Sequence, residues 1–196
     1  MLMQQLKQQT QPYHHRLDSH PALVALFEDD LTLEAYGGLL RKFFGFYMPL
    51  ETILTVAIDW STLPFDFAVR RKTSLLSQDL QQVDRTIAPR FVPQCRDLPL
   101  IATLPQAVGC LYVLEGATLG GQIILRQIRQ RLPIGAGQGG TFFNSYGPEV
   151  GPMWRAFGKF VNEQVTTAYQ KNEAIDTAIQ TFVKFERWLS TEGKIE

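Results

Sequence analysis

The chain has 196 residues, 45% apolar and 19% charged, with Lys+Arg and Asp+Glu both at 19 and no formal net charge. That length predicts one domain over residues 1–196, long enough to bury about 70% of its unfolded surface. The charge balance speaks against a nucleic-acid binder or a polybasic membrane-surface protein, and Cys95 and Cys110, with no C-x-x-C, speak against a zinc cluster or disulfide scaffold.

The start, MLMQQLKQQTQ, is rich in Gln and lacks the apolar core of a signal peptide. Leu6, Thr10, Tyr13 and Leu17 then fall at spacings of 4, 3 and 4, one helical stripe. Pro12 predicts either a restart with Thr10 as cap or a kink, and His20-Pro21 closes the segment. A short apolar piece, Ala22 to Phe27, follows. Thr32 is placed to cap a long helix with the stripe Tyr36, Leu39, Leu40, Phe43, Tyr47, Leu50, Leu54 and Ala57, bent at Pro49. After a break at Ser61–Pro64, a fourth helix is predicted from about Phe67 to Ile87.

The longest uncharged run, Leu98 to Leu114, is interrupted by Pro99, Pro105 and Gln106 and falls short of a membrane span. It reads as part of a buried helix that starts at Thr103 with Pro105 in its first turn and continues to about Leu132. A loop from Pro133 to Gly151 carries Gly135, Gly137, Gly139, Gly140 and Gly147. Two closing stripes follow, Trp154, Phe157, Val161, Val165, Ala168 and then Ile175, Ala178, Ile179, Phe182, Phe185, Leu189. No strict two-residue alternation stands out. The expected fold is all-α, with six to eight helices, in a cytoplasmic protein that neither spans nor coats a membrane.

Two features bear on chemistry. Within the Thr103 helix, Gly116, Gly120 and Gly121 fall inside six residues, at a propensity cost of about 2–3 kcal/mol against alanine. Gly116 and Gly120 share one face, where bare backbone admits either a close-packed helix or a flat ligand. No strand precedes them, and no Lys follows in P-loop spacing, so a nucleotide site is disfavoured. The three histidines, His14, His15 and His20, all lie in the first segment. Asp18 lies one turn beyond His14, where a carboxylate can hold Nδ1 of an imidazole whose Nε2 binds a metal. His15 has Ser19 at that spacing. None of Glu51, Glu115, Glu163 or Glu173 has a His three residues later, which removes a carboxylate-bridged di-iron pair. One His is enough for haem.

These segments resemble the haem (heme) oxygenase family, most of all its biliverdin-producing, bacteriophytochrome-associated bacterial branch. The resemblance rests on Thr10-x-x-x-His14-x-Arg16-Leu17-Asp18, on Phe46-Tyr47-x-Pro49-Leu50-Glu51 and on Tyr112-Val-Leu-Glu-Gly-Ala-Thr-Leu-Gly-Gly-Gln122. It extends through the Trp154-x-x-Phe157 helix and the aromatic C-terminal helix. It implies a single-domain heme oxygenase-like fold with haem between the first helix and a glycine-kinked distal helix. Haem b is then both cofactor and substrate, opened to biliverdin, CO and ferrous iron with O2 and electrons from a ferredoxin or reductase. His14 matches the iron ligand and Asp18 its carboxylate partner. Gly116 and Gly120 match the distal glycines, with Gly121 beside them. Lys7, Arg155 and Lys159 are the basic residues expected near the haem propionates.

One position departs from the pattern. Many relatives carry Asp where this chain has Ala117, so Glu115, a water chain or another residue is expected to stand in. That departure also keeps open a non-catalytic haem carrier or sensor on the same fold. A hydrolase using Cys110 as nucleophile is a third alternative. Arg126, Arg129 and Arg131, and Arg70-Arg71-Lys72, are candidate contacts for an acidic electron donor, and a bacteriophytochrome is a candidate acceptor of product.

Overall fold

A computed structural model describes residues 1–84 and 88–191. Among these residues the chain forms eight α-helices and no β-strand, with isolated bridge contacts only at Gly135 to Gln138 and Gly139. The helices are α1 (Leu2–Asp18), α2 (Pro21–Val24), α3 (Leu33–Ala57), α4 (Thr73–Val83), α5 (Leu104–Ile128), α6 (Thr141–Asn144), α7 (Val150–Gln164) and α8 (Ala168–Leu189).

α1 runs unbroken through Pro12, and Thr10 is not its cap. Pro12 removes one hydrogen bond on an exposed face, while buried Leu2 and Leu6 hold the helix on its neighbours. The Thr10 hydroxyl instead donates to Leu6 O at 2.7 Å, in the interior. His20 Nδ1 accepts from Ala22 N at 3.2 Å and starts α2. Thr32 caps α3 as expected, accepting from Ala35 N, and every stripe residue from Tyr36 to Leu54 is buried.

The fourth helix begins later than its pattern predicts. A 3₁₀ turn covers Ala68–Arg70, and α4 starts only at Thr73. The Glu51 carboxylate of α3 accepts from Lys72 N, from Thr73 N at 3.2 Å and from Thr73 Oγ1 at 2.6 Å. An anion from a different helix therefore fixes where α4 begins, by satisfying its first free N–H groups. α4 ends at Val83, with Asp84 extended, before the expected end at Ile87, which itself lies outside the described residues.

α5 opens with a capping box, Thr103 Oγ1 accepting from Gln106 N and Gln106 Oε1 from Thr103 N. It ends at Ile128, short of Leu132, where the chain turns and Arg131 donates to Phe27 O at 2.9 Å. The glycine-rich loop contains α6, whose Thr141 and Phe142 N–H groups are held by the Asp79 carboxylate at 2.9 and 2.7 Å. The stripe from Trp154 to Ala168 does not form one helix. α7 stops at Gln164, and a second capping box, Thr167 with Gln170, starts α8.

α8 is the central support. α5 packs on it most extensively, α1 lies along it, and α3 also touches it. Phe43, Phe46, Tyr47, Phe142, Phe143 and Phe185 form an aromatic core, with ring centroids as close as 4.7 Å for Phe46–Phe185. α5 is long and apolar enough to cross a membrane by composition alone, but more than half of its most apolar stretch is buried in the bundle.

Candidate functional site

α1 and α5 both rest on α8 and make few direct contacts with each other. Tyr112 of α5 and Thr10 of α1 lie near each other. One helical turn beyond Thr10 comes His14. One and two turns beyond Tyr112, on its own side of α5, come Gly116 and Gly120. Thr10 and Tyr112 each precede by one turn the residues singled out in their own helices.

The three α5 glycines are not equivalent. A Cβ built on Gly120 meets no heavy atom within 4 Å, so this part of the helix faces open space. A Cβ on Gly116 would lie 3.7 Å from Trp154 Cη2, an ordinary contact. A Cβ on Gly121 would strike the Phe143 carbonyl oxygen. Gly121 is therefore a packing glycine that lets α5 seat on α6, and it is not part of the open face. Leu119 and Ile123, one turn apart beside Gly120, remain exposed. The two kinds of glycine separate under substitution. Gly121→Ala is expected to cost about 1–3 kcal/mol through overpacking. Gly120→Ala is expected to leave stability unchanged or raise it by about 0.5–1 kcal/mol through helix propensity. Urea denaturation of the two variants checks both.

On α1, His14 Nδ1 lies 2.8 Å from Asp18 Oδ2, both side chains more than half exposed. Its ring meets the edge of buried Phe182 of α8, with centroids 5.8 Å apart. Nδ1 is thereby engaged, and no protein atom among the described residues hydrogen-bonds Nε2. An oriented imidazole with one free nitrogen suits a single axial metal bond. Among the described residues no three His, Cys, Asp or Glu side chains gather as a cation site. The donor set thus fits a metal that brings its other ligands with it. α1 is steadied on α8 by Arg16–Glu186 at 2.6 Å and His20 Nε2–Ser190 Oγ at 2.9 Å.

The basic residues are arranged on two neighbouring helices. Lys7, two turns before His14, is exposed on α1. Arg155 and Lys159 are exposed on α7, which packs against α1 through Met3 and Gly158. Lys159 lies 3.9 Å from Glu163, a surface pair that leaves it available.

Glu115 is occupied otherwise than expected of a stand-in for the missing acid. It is 1% exposed and bound on both oxygens, by Arg70 Nη1 at 2.5 Å on one side, and by Tyr146 OH at 2.7 Å and Lys72 Nζ at 3.3 Å on the other. Lys72 Nζ also donates to Tyr146 OH at 2.6 Å and to Arg70 O. Arg70 donates from both terminal nitrogens to Met153 O at 3.3 Å. Burial pulls the Lys72 ammonium below its ordinary range, against the pull of Glu115, and pushes the Tyr146 phenol up. Arg70 and Lys72 are consequently interior residues and no docking patch. Arg131 is also largely covered and paired with Asp29, which leaves Arg126 and Arg129 exposed at that end of α5.

Cys110 is buried, and burial pushes its thiol up to about 12, which removes it as a nucleophile. The residue that sequence reasoning missed is Trp154. The sequence shows it in an apolar stripe and in the Trp154-x-x-Phe157 match, neither of which assigns it a role, yet its indole covers Gly116 and lies 5.7 Å from the Tyr112 ring.

Comparison with known proteins gives a consistent result. A family model described as Heme oxygenase matches residues 1–191. A heme oxygenase of Xanthomonas campestris pv. campestris is 25% identical over 174 residues, spanning 88% of this chain and 99% of that protein. The solved heme oxygenase of Neisseria meningitidis, bound to NO and CO, is 23% identical with a TM-score of 0.76, covering 100% of this chain and 96% of its own. That of Leptospira interrogans is 16% identical, also at 0.76, over 96% and 98% of the two chains. That of the cyanobacterium Synechocystis, in complex with heme, is 18% identical at 0.74, over 95% and 90%.

Proposed function

The chain belongs to the heme oxygenase family, and from that membership we propose that it opens haem b oxidatively to biliverdin, CO and ferrous iron. When bound, haem supplies both the iron that activates O2 and the ring that is cleaved. The observation that carries the reading is the pairing of an oriented His14 on α1 with an open backbone face at Gly120 on α5. His14 Nε2 would hold the iron, and Asp18 on Nδ1 would fix the tautomer and raise the basicity of the ligand. The face at Gly120 is open and offers no acid–base side chain. It would therefore supply no proton donor for O–O heterolysis of the peroxidase kind. Lys7, Arg155 and Lys159 would receive the propionates. Phe182, Leu119 and Ile123 would cover apolar parts of the macrocycle.

With Ala117 in the place of an acid and Glu115 locked in the buried cluster, proton delivery falls to water held against the α5 backbone. Arg126 and Arg129 are the cationic surface offered to an acidic electron donor, a ferredoxin or a reductase domain. A cytoplasmic site of action, with a bacteriophytochrome as acceptor of the product, completes the proposal.

The test is reconstitution with haem followed by ascorbate or a reductase system in air. The Soret band is expected to give way to the broad red absorption of biliverdin, with CO released. A Soret band that persists through repeated reduction and oxygenation would make the protein a carrier instead. The same assay on Gly120→Leu checks the geometry. That variant is expected to keep haem and lose ring opening or change its products, since a side chain would fill the space over the iron. Wild-type rate and products in Gly120→Leu would remove the α5 face from the site.

A further inference from the structure

The open face of α5 is asymmetric. At Gly120 it meets nothing, while one turn earlier the Trp154 indole stands over Gly116 with Cη2 and Cζ3 at 3.7 and 3.9 Å from where a Cβ would be. Trp154 is held there from several sides. Its ring packs on Tyr112 and Phe157, both at 5.7 Å between centroids. Its helix is anchored one residue earlier, where Arg70 donates twice to Met153 O while also binding Glu115, the residue before Gly116. The same buried arginine thus ties the start of α7 to the point on α5 that the indole covers. α5 cannot back away from this contact, because Gly121 is already seated on the Phe143 carbonyl and Gly109 on the Ala174 carbonyl.

We propose that Trp154 is a specificity-determining residue, its indole forming the lateral stop of the crevice on the α7 side. It sets how far a porphyrin edge advances along α5 and therefore which edge lies over Gly120. This rests on the haem reading above. A flat ligand on the α5 face meets no side chain at Gly120, and the first rigid obstacle toward Gly116 and α7 is this indole. A large ring anchored by a buried ion cluster resists displacement better than a flexible side chain would.

The chain has three tryptophans, which makes the test direct. Trp60 Nε1 donates to Leu54 O at 2.8 Å and Trp188 Nε1 to Lys42 O at 2.7 Å, both away from the α5 glycines. Protein labelled with nitrogen-15 is titrated with diamagnetic zinc protoporphyrin while the three indole N–H resonances are followed, that of Trp154 being assigned from Trp154→Phe. Ring current is expected to move the Trp154 resonance by several linewidths, and those of Trp60 and Trp188 far less. In parallel, Trp154→Ala is expected to change the ratio of biliverdin isomers made from haem, and Trp154→Phe to restore most of the wild-type ratio.

If porphyrin binds saturably while the Trp154 resonance stays in place, or if Trp154→Ala makes the wild-type isomer ratio, the stop is elsewhere and only this inference falls. If no porphyrin binds at all, the haem reading itself fails and the inference with it.

Discussion

Replacing His14 with alanine is expected to abolish ring opening and to weaken haem binding more than any other single change in the crevice. His14 is the one imidazole in the described structure with a carboxylate on Nδ1 and no hydrogen bond to Nε2. His20 shares its two nitrogens between Ser190 and Ala22 N, and His15 lies about 100° around the helix. No second residue is therefore in place to take over the iron. Removing a partner that orients a metal ligand typically costs 10–100-fold. Asp18→Asn is expected in that range, and His14→Ala beyond it. Cys110→Ala is expected to bind haem as wild type does, because its thiol is enclosed in the core. Soret titrations of the three variants read all of this. Wild-type affinity and axial spectrum in His14→Ala would show that another group ligates the iron.

The second large effect concerns stability. Glu115→Ala is expected to cost about 3–5 kcal/mol, the usual cost of breaking a buried ion pair from one side. This is a large share of the roughly 5–15 kcal/mol that holds a domain together. The variant leaves the Arg70 guanidinium and the Lys72 ammonium buried within reach of Tyr146 and without their shared carboxylate. Arg70 retains Met153 O and the Phe65 ring, 4.5 Å from its guanidinium carbon, and Lys72 retains Arg70 O and Tyr146 OH. Those partners accept hydrogen bonds but carry no full charge. Glu115→Gln, which keeps part of the hydrogen bonding, is expected to cost less. Glu115→Leu combined with Arg70→Met and Lys72→Met is expected to recover much of the loss, because it removes the charges together. Urea denaturation of the set tests this, and a Glu115→Ala loss below about 1 kcal/mol would mean that the cluster behaves as a surface pair.

What could be read from the sequence follows the range of each interaction. Thr32, Thr103 and Pro105 announced their helices because a cap acts within three or four residues of itself. The start of α4 differs from its pattern because its anion, Glu51, comes from another helix 21 residues earlier. The stripe from Trp154 to Ala168 keeps helical spacing across a real break. Only the Thr167-x-x-Gln170 box marks that break.

The site shows the same division. His14 with Asp18 is an i, i+4 pair, legible as such, and the Gly116–Gly120 spacing is equally local. Which glycine meets space and which meets Phe143 depends on the packing partner, so spacing alone does not separate Gly121 from Gly120. Gly109, which seats α5 on the Ala174 carbonyl of α8, stands alone in an apolar run, so no local spacing marks it. Arg70 and Lys72 read as a surface charge run because their shared partner, Glu115, lies more than 40 residues away.

A crystal structure of the haem complex puts the whole account to its hardest test. It should place iron on His14 Nε2, keep Asp18 on Nδ1, and set the opposite face of the porphyrin against the Gly120 backbone. Iron held by any other residue, or a macrocycle lying outside the gap between α1 and α5, would contradict it.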